Sequence, residues 1–148
     1  MGTKKAIGNF WIVAAIWLLG LLSTLARADE LNLVVDNIRP VEGNLMIQVL
    51  DSEPAFDAET AVPTVAIIQR VDSSSLTFSM DLPAGDYAIR IFHDVNHNGK
   101  LDENFIGMPK EPIGFSNNAS NNFGPPGWSE SKFELSGPTQ QKIRMSDS

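Results

Sequence analysis

The chain contains no cysteine among its 148 residues. This absence excludes disulfide cross-links and cysteine nucleophiles. Positive charge is also scarce, because 11 Lys and Arg residues stand against 18 Asp and Glu residues. An acidic chain is repelled by phosphate backbones and by anionic lipid surfaces, so nucleic acid is excluded as the primary partner.

Long hydrophobic runs are missing as well. The longest apolar stretch, Phe10–Leu22, has 13 residues, whereas a membrane-spanning helix needs about 20. Two lysines, Lys4 and Lys5, precede this stretch, and the small-residue pattern "ARA" follows it at 26–28. This order is typical of a cleaved signal peptide over residues 1–28, although a retained membrane anchor is the alternative. We expect the protein to be periplasmic or secreted, with no membrane span after cleavage.

Loss of such a leader makes the remaining chain more acidic. Three of the 11 basic residues and none of the 18 acidic ones lie in 1–28, which leaves 8 against 18, a net charge of −10. The remaining 120 residues, 29–148, are enough for one domain with one hydrophobic core. Because no disulfide constrains this domain, a bound cation could supply a comparable constraint.

No window of the sequence has the pattern of an amphipathic helix, and apolar residues instead alternate with a period of two. This alternation is clearest at Leu76, Phe78, Met80 and Leu82. Seven segments read as strands: 31–38, 45–51, 65–71, 76–82, 86–94, 131–137 and 139–145. We therefore predict an all-β fold, an antiparallel sandwich of about seven strands, in which the first two form a hairpin and 51–64 is a loop.

One long loop, residues 94–130, precedes the last two predicted strands. It is rich in Asn, Gly and Pro, and its apolar side chains are Phe105, Ile106, Met108, Ile113, Phe115, Phe123 and Trp128. Structureless connections of this length are uncommon in compact domains and usually have a function or pack internally. We expect the aromatic residues either to fold back as a small core or to form a platform for a surface glycan.

The beginning of this loop has the donor spacing of a calcium site. Counted from Asp94 as position one, the positions are Asn96 at three, Asn98 at five, Gly99 at six, Lys100 at seven and Asp102 at nine. Alternate side chains of a tightly curled loop converge on one cation, glycine permits the sharp turn, and position seven offers only its carbonyl. Oxygen donors of this kind favour Ca²⁺ over Zn²⁺ or Cu²⁺.

The pattern departs from an EF-hand in two ways. Position 12 is Phe105 instead of a bidentate glutamate, and a predicted strand, not a helix, leads into the loop. The missing oxygens could come from Glu103, Asn104 or Glu111. Two of the first three donors are neutral amides, which predicts weak binding, with a dissociation constant of about 10⁻⁴–10⁻³ M. The competing interpretation is an Asn/Gly turn without a metal.

A zinc site is a weaker alternative. His93 and His97 stand four residues apart with Asp94 between them, which superficially resembles a helical zinc-protease motif. That motif needs a helix, whereas a strand pattern leads into these residues. A hydrolase in which His93 and Asp94 act with Ser116 as the nucleophile has no spacing rule to support it.

Taken together, the segments 82–119 and 123–135 resemble a bacterial exported family, domain of unknown function 2141. The matching motifs are "GDYAIRIFHDVNHNGKLDEN", "GMPKE", "GFSNN" and "FGPP". The strand entry "LPAGDYAIRI" is similar to that of transthyretin-like and carboxypeptidase-regulatory-like sandwiches, which implies a Greek-key topology. The resemblance places Glu111 in a family motif, and this makes it the preferred extra ligand.

These observations lead to a function hypothesis and two alternatives. The first is an exported binding or accessory domain, not an enzyme, in which Ca²⁺ bound by Asp94, Asn96, Asn98, Lys100, Asp102 and Glu111 orders the long loop toward a protein or surface glycan. The second is a metal-free structural protein of the cell envelope. The third is the hydrolase that would use His93 and Asp94.

Overall fold

The structure is a computed structural model that describes residues 28–58, 60–120 and 124–147. The predicted signal peptide lies outside the described residues except for Ala28, and so does Phe123. Within the described ranges the elements are β1 (Ala28–Asp36), β2 (Asn44–Leu50), α1 (Glu53–Asp57), β3 (Val65–Arg70), β4 (Leu76–Pro83), β5 (Gly85–Asp94), β6 (Ile113–Phe115), a 3₁₀ turn (Ser116–Asn118), α2 (Trp128–Ser131), β7 (Phe133–Leu135) and β8 (Thr139–Arg144). None of the helices in these ranges is both long and apolar enough to cross a membrane.

The strands form two sheets. The first has the order β4-β1-β8, and the second has the order β3-β2-β5-β6 with β7 also paired to β5. Strands β6 and β7 use different parts of β5, because β7 pairs with 85–87 and β6 pairs with 90–92. Strand β5 is therefore central to the second sheet, and its last residue, Asp94, begins the candidate ion loop.

The hydrophobic core is built from alternate side chains of both sheets. Its fully buried members include Leu31, Leu33 and Val35 of β1, Leu45 and Val49 of β2, Ile89 of β5 and Ile143 of β8. Each fully buried aliphatic side chain of this kind contributes about 1.5–3 kcal/mol relative to exposure. The alternation read from the sequence thus corresponds to one buried and one outward-facing side of each sheet.

The predicted all-β sandwich is confirmed, with three differences in detail. The structure has an additional strand, β6, whose three residues are too short to show a period-two pattern. The predicted hairpin is wrong, because β1 pairs with β4 and β8 whereas β2 pairs with β3 and β5. The sandwich is also not wholly antiparallel, since β1 and β8 run parallel. Alternation defines the buried face of a strand but not its neighbour.

A second, smaller core lies beside the main one. Leu50, Phe56 and Ala88 are buried together, and Phe115 and Trp128 pack against them. The Phe56 ring centroid lies 6.3 Å from that of Phe115 and 6.0 Å from that of Trp128. The expected small aromatic core therefore forms, although Phe105 is not part of it.

The segment 51–64 is not entirely loop. It contains α1, which begins with Glu53 and Pro54 and carries Phe56 into the smaller core. Proline is favoured in the first turn of a helix because the backbone N–H it lacks would have no helical partner there. The five-residue helix is too short for a recognisable 3.6-residue period, which explains why the sequence pattern did not predict it.

Candidate metal-binding loop

The loop 94–102 is organised around the carboxylate of Asp94. This side chain is buried at the end of β5, where its backbone pairs with Asn44 of β2. Its Oδ1 accepts the backbone N–H of Asn98 at 3.0 Å, and its Oδ2 accepts that of Gly99 at 2.9 Å. Asp94 therefore curls the following five residues back over the strand end, in the way expected of position one of an ion loop.

The predicted donors at positions three, five and nine converge in the same loop. The Nδ2 of Asn96 donates to Asp102 Oδ2 at 2.6 Å, and the Nδ2 of Asn98 donates to the Asp102 carboxylate at 3.1 and 3.2 Å. The amide oxygens face the backbone, because Asn96 Oδ1 accepts the N–H of Asn98 at 3.0 Å. Calcium takes oxygen ligands. An ion here would therefore have to displace the Nδ2 groups of Asn96 and Asn98, whose hydrogen bonds Asp102 now accepts.

Two residues of the loop adopt left-handed backbone conformations. Gly99 has φ +74°, as expected for the glycine of position six, and a Cβ there would meet nothing within 4 Å. His97 has φ +63°, and its Nδ1 lies 3.1 Å from the Nδ2 of Asn44. The exposed His97 thus closes the loop against β2.

Glu111 joins the two ends of the loop from outside it. Its Oε1 accepts the backbone N–H of Val95 at 3.0 Å, and its Oε2 accepts that of Asp102 at 3.1 Å. The backbone holds Glu111 in this place, because the N–H of His93 donates to the carbonyl of Pro112 at 2.9 Å. Among the three alternatives for extra oxygens, Glu111 is the buried side chain that reaches the loop.

The other two alternative ligands, Asn104 and Glu103, do not contribute their side chains to the loop. The Oδ1 of Asn104 accepts the N–H groups of Ile106 and Met108, each at 3.0 Å, so it faces away from the loop. Glu103 is exposed, and its backbone forms an isolated bridge with Pro109. Lys100 is exposed too, and its N–H donates to Asn98 Oδ1 at 2.8 Å.

The electrostatics of the loop are dominated by negative charge. The carboxylates of Asp94, Asp102 and Glu111 are tied into one hydrogen-bonded structure, while the ion pairs among the described residues, Asp36–Lys142 and Asp86–Lys132, lie elsewhere. In the described part of the chain, no three side chains of the types His, Cys, Asp and Glu are grouped closely enough to hold a metal ion. A cation would therefore depend on the amide and carbonyl oxygens as well.

His93 occupies a structural position. It is buried at the end of β5, and its Nε2 lies 2.6 Å from the carbonyl oxygen of Glu42. Because a strand and an irregular loop carry His93 and His97, they do not share the helical face that the zinc-protease motif requires.

Ser116 is likewise engaged in the fold. It is buried, its Oγ accepts the N–H of Ile89 at 2.9 Å, and its hydroxyl lies 2.5 Å from the carbonyl oxygen of Ser131. Ile89 precedes His93 by four strand residues, which separates them by about 13 Å along β5. The Oγ of Ser116 and the Nε2 of His93 are therefore both engaged in contacts within the fold, whereas the buried Nδ1 of His93 has no hydrogen-bond partner among the described residues.

The Asn-Asn pair after Ser116 attaches this segment to β8. Asn117 and Asn118 both have positive φ, +59° and +50°. Asn117 donates its backbone N–H to Gln141 Oε1 at 3.1 Å, and Asn118 Oδ1 accepts the N–H of Arg144 at 2.7 Å. Asparagine tolerates the left-handed region of the backbone better than most residues. At these two positions it therefore fits the turn and also forms hydrogen bonds with the edge strand β8.

A comparison with models of protein families assigns the chain to one family. Residues 33–144 match the family described as "Uncharacterized protein conserved in bacteria", DUF2141. The chain belongs to DUF2141. No curated protein matched in the corresponding comparison, and neither did any solved structure. The match includes strands of both sheets, the loop 94–102 and the 3₁₀ turn, so the candidate site is part of the DUF2141 region.

Sequence reasoning missed the support that β2 and its preceding turn give to the loop of this DUF2141 chain. Gly43 has φ +76°, and a Cβ there would fall on the backbone of Asp94 and Val95. Only glycine therefore allows the turn to lie against the loop entry. The hairpin predicted for the first two strands implied a turn between 38 and 45, but a contact across about 50 positions leaves no local signal.

Proposed function

We propose that this DUF2141 chain is an exported binding or accessory domain in which the loop 94–102 takes up Ca²⁺. The observation that carries the proposal is the convergence of Asp94, Asn96, Asn98 and Asp102 in one hydrogen-bonded loop that Glu111 closes. Asp94, Asp102 and Glu111 give this loop a negative charge that the ion pairs of the described residues do not neutralise, and this charge would attract a divalent cation.

The proposed ligands are the side-chain oxygens of five residues and the backbone carbonyl of Lys100. The five residues are Asp94, Asn96, Asn98, Asp102 and Glu111. The oxygens of Asp94 and Glu111 each accept one N–H and keep a second lone pair for an ion, whereas Asp102 would have to release the amide groups of Asn96 and Asn98. Neutral amides at two positions keep the affinity weak, with a dissociation constant of about 10⁻⁴–10⁻³ M, which suits a calcium-rich medium outside the cytoplasm.

The role of the ion would be to fasten the 94–130 connection to the end of the second sheet. Ordering that connection would present it to a protein or a surface glycan. The leader pattern of residues 1–28 supports export, to the periplasm or the medium. A transthyretin-like Greek-key topology remains part of this proposal, on the evidence of the two-sheet architecture and the strand entry at 82–91.

A metal-free structural protein is the second candidate, and one observation favours it. The donors are already satisfied by internal hydrogen bonds, among them Asn96 to Asp102 at 2.6 Å. Such a loop could hold its shape as a set of Asx turns without an ion.

Calorimetric titration with Ca²⁺ separates these two candidates. We expect saturable binding of one ion, with Mg²⁺ weaker because its smaller octahedral shell dehydrates reluctantly. At a calcium concentration ten times the dissociation constant, the free energy of unfolding should rise by about 1.4 kcal/mol relative to chelator. Identical melting curves in calcium and in chelator, with no heat of binding, would leave the metal-free candidate.

A further inference from the structure

An apolar hairpin tip follows the ion loop directly. In residues 104–108, here called the Phe105 tip, Phe105 is 98% exposed, Ile106 is 67% exposed and Met108 is 51% exposed. Single exposed apolar residues are ordinary on a protein surface. Three of them on one short turn form a projecting apolar surface, and such a surface indicates an interaction site.

Four of the five backbone N–H groups of the Phe105 tip, all except that of Phe105, have acceptors within the tip. Asn104 Oδ1 accepts the N–H groups of Ile106 and Met108, each at 3.0 Å, and the Asn104 carbonyl accepts that of Gly107 at 3.0 Å. The N–H of Asn104 donates to the carbonyl of Met108 at 2.8 Å. In a medium without water every backbone N–H must find such an internal partner. Four of the five N–H groups of the tip therefore carry no cost of an unpaired donor when they leave water, whereas that of Phe105 would find its acceptor in the head-group region.

The base of the tip is held by its own chain. Glu103 and Pro109 form a backbone bridge, and the N–H of Lys110 donates to the carbonyl of Asp102 at 2.8 Å. The apolar side chains thus stand on a short stalk that is anchored to the ion loop. A projecting point of this kind needs a preformed groove in a protein partner, whereas the acyl boundary of a lipid bilayer closes around it.

We infer that the Phe105 tip docks into the interfacial region of a phospholipid membrane and attaches the protein to it peripherally. Apolar burial at the boundary between head groups and acyl chains drives this kind of attachment. Lys100 and Lys110 are exposed on either side of the tip, where long cationic side chains reach lipid phosphates while their stems cover apolar surface.

Charge decides which membranes the tip prefers. Residues 94–111 contain four acids and two lysines, a net charge of −2 when His97 is neutral, and the whole chain carries −7. Zwitterionic vesicles should therefore bind the protein better than anionic ones. A bound Ca²⁺ would bring the net charge of 94–111 to zero and reduce the difference, and this last statement alone rests on the proposed function.

Co-sedimentation with vesicles tests the docking. The exported protein, with loss of the leader checked by N-terminal sequencing, is mixed with phosphatidylcholine vesicles and with vesicles that also contain phosphatidylglycerol. Phe105→Ser should weaken binding to phosphatidylcholine by roughly tenfold or more, because the transfer of one aromatic side chain out of water is lost. Val62→Ser is the matched control, since Val62 is 91% exposed outside the tip, and it should bind like the unchanged protein.

Two results would overturn the docking. One is that the unchanged protein does not bind vesicles. If it instead forms a dimer in sedimentation without lipid, and Phe105→Ser abolishes that dimer, the tip contacts a second copy of the chain and not a membrane. The other is equal binding by the Phe105 and Val62 variants. A calcium titration in solution, without vesicles, is run in parallel. Failure to take up calcium counts against the proposed function, and failure to bind vesicles counts against the docking.

Discussion

The carboxylate of Glu111 accepts the backbone N–H of Asp102 at 3.1 Å through Oε2, while its Oε1 accepts that of Val95 at 3.0 Å. Val95 lies at the start of the candidate ion loop and Asp102 at its end, so one buried side chain holds both limbs. The geometry of the loop therefore depends on a residue nine positions after Asp102, the last residue of the loop itself.

The first prediction concerns this clamp. Glu111→Gln keeps one acceptor oxygen but turns an amide NH₂ group toward the other backbone N–H. Hydrogen bonds to a charged group are worth about 1.5–3 kcal/mol, so we expect the free energy of unfolding in chelator to fall by about 2 kcal/mol. Urea denaturation measures this change.

Glu103→Gln is the matched control for the clamp, because it makes the same chemical change at an exposed side chain next to the loop. It should stay within about 0.5 kcal/mol of the unchanged protein. Equal midpoints for the two variants would show that the Glu111 carboxylate does not hold the loop.

The second prediction concerns the charge of the loop. Asp102→Asn removes one of the three carboxylates proposed to face the ion, so we expect calcium affinity to fall by at least tenfold, about 1.4 kcal/mol. Asp81→Asn changes the net charge equally at an exposed position of β4 and should leave the affinity unchanged. If both variants bind calcium alike, only the overall charge matters and the ligand set is wrong.

The parts of the fold that were predictable are those with a local cause. The alternation at Leu76, Phe78 and Met80 marked the inward face of β4, and the spacing of Asp94, Asn96 and Asn98 indicated a curled loop. In both cases a side chain and its effect lie within a few residues of each other. A single sequence carries such information directly.

The parts that were not predictable depend on distant contacts. The parallel pairing of β1 with β8 and the contact of Gly43 with Asp94 join positions that are far apart in the chain. The fit of Gly114 against Ile143 is of the same kind, since a Cβ there would come within 2.8 Å of the Ile143 side chain. These contacts are set by which strands meet, and periodicity carries no signal for that choice.

The third prediction concerns Ser116. Ser116→Ala leaves the buried N–H of Ile89 and the carbonyl of Ser131 without this partner. An unsatisfied buried polar group costs about 1–3 kcal/mol, so the free energy of unfolding should fall by that amount. Ser129→Ala, at an exposed position of α2, should be neutral. An unchanged stability with a lost hydrolytic activity would instead favour the hydrolase alternative.

The fourth prediction concerns the only tyrosine of the chain. Tyr87 donates its hydroxyl to the carbonyl of Pro83 at 2.9 Å, and burial, followed by the negative charge of Asp51, raises the pKa of the phenol. The folded state then holds its proton at a pH where the unfolded state has lost it. The contribution of this proton to the free energy of unfolding is therefore complete below a pH of about 10, and it is lost as the pH rises through the pKa of Tyr87 in the folded state.

Because there is one tyrosine, its phenolate absorbance in the near ultraviolet titrates this group alone. The midpoint in the folded protein should lie above that of the chain unfolded in urea. Tyr87→Phe should lose about 1 kcal/mol at neutral pH with the hydrogen bond to Pro83. It should also show a shallower fall in stability above pH of about 10, since no phenol remains to ionise. Parallel stability curves for the two proteins in that range would mean that Tyr87 ionises equally in the folded and unfolded states.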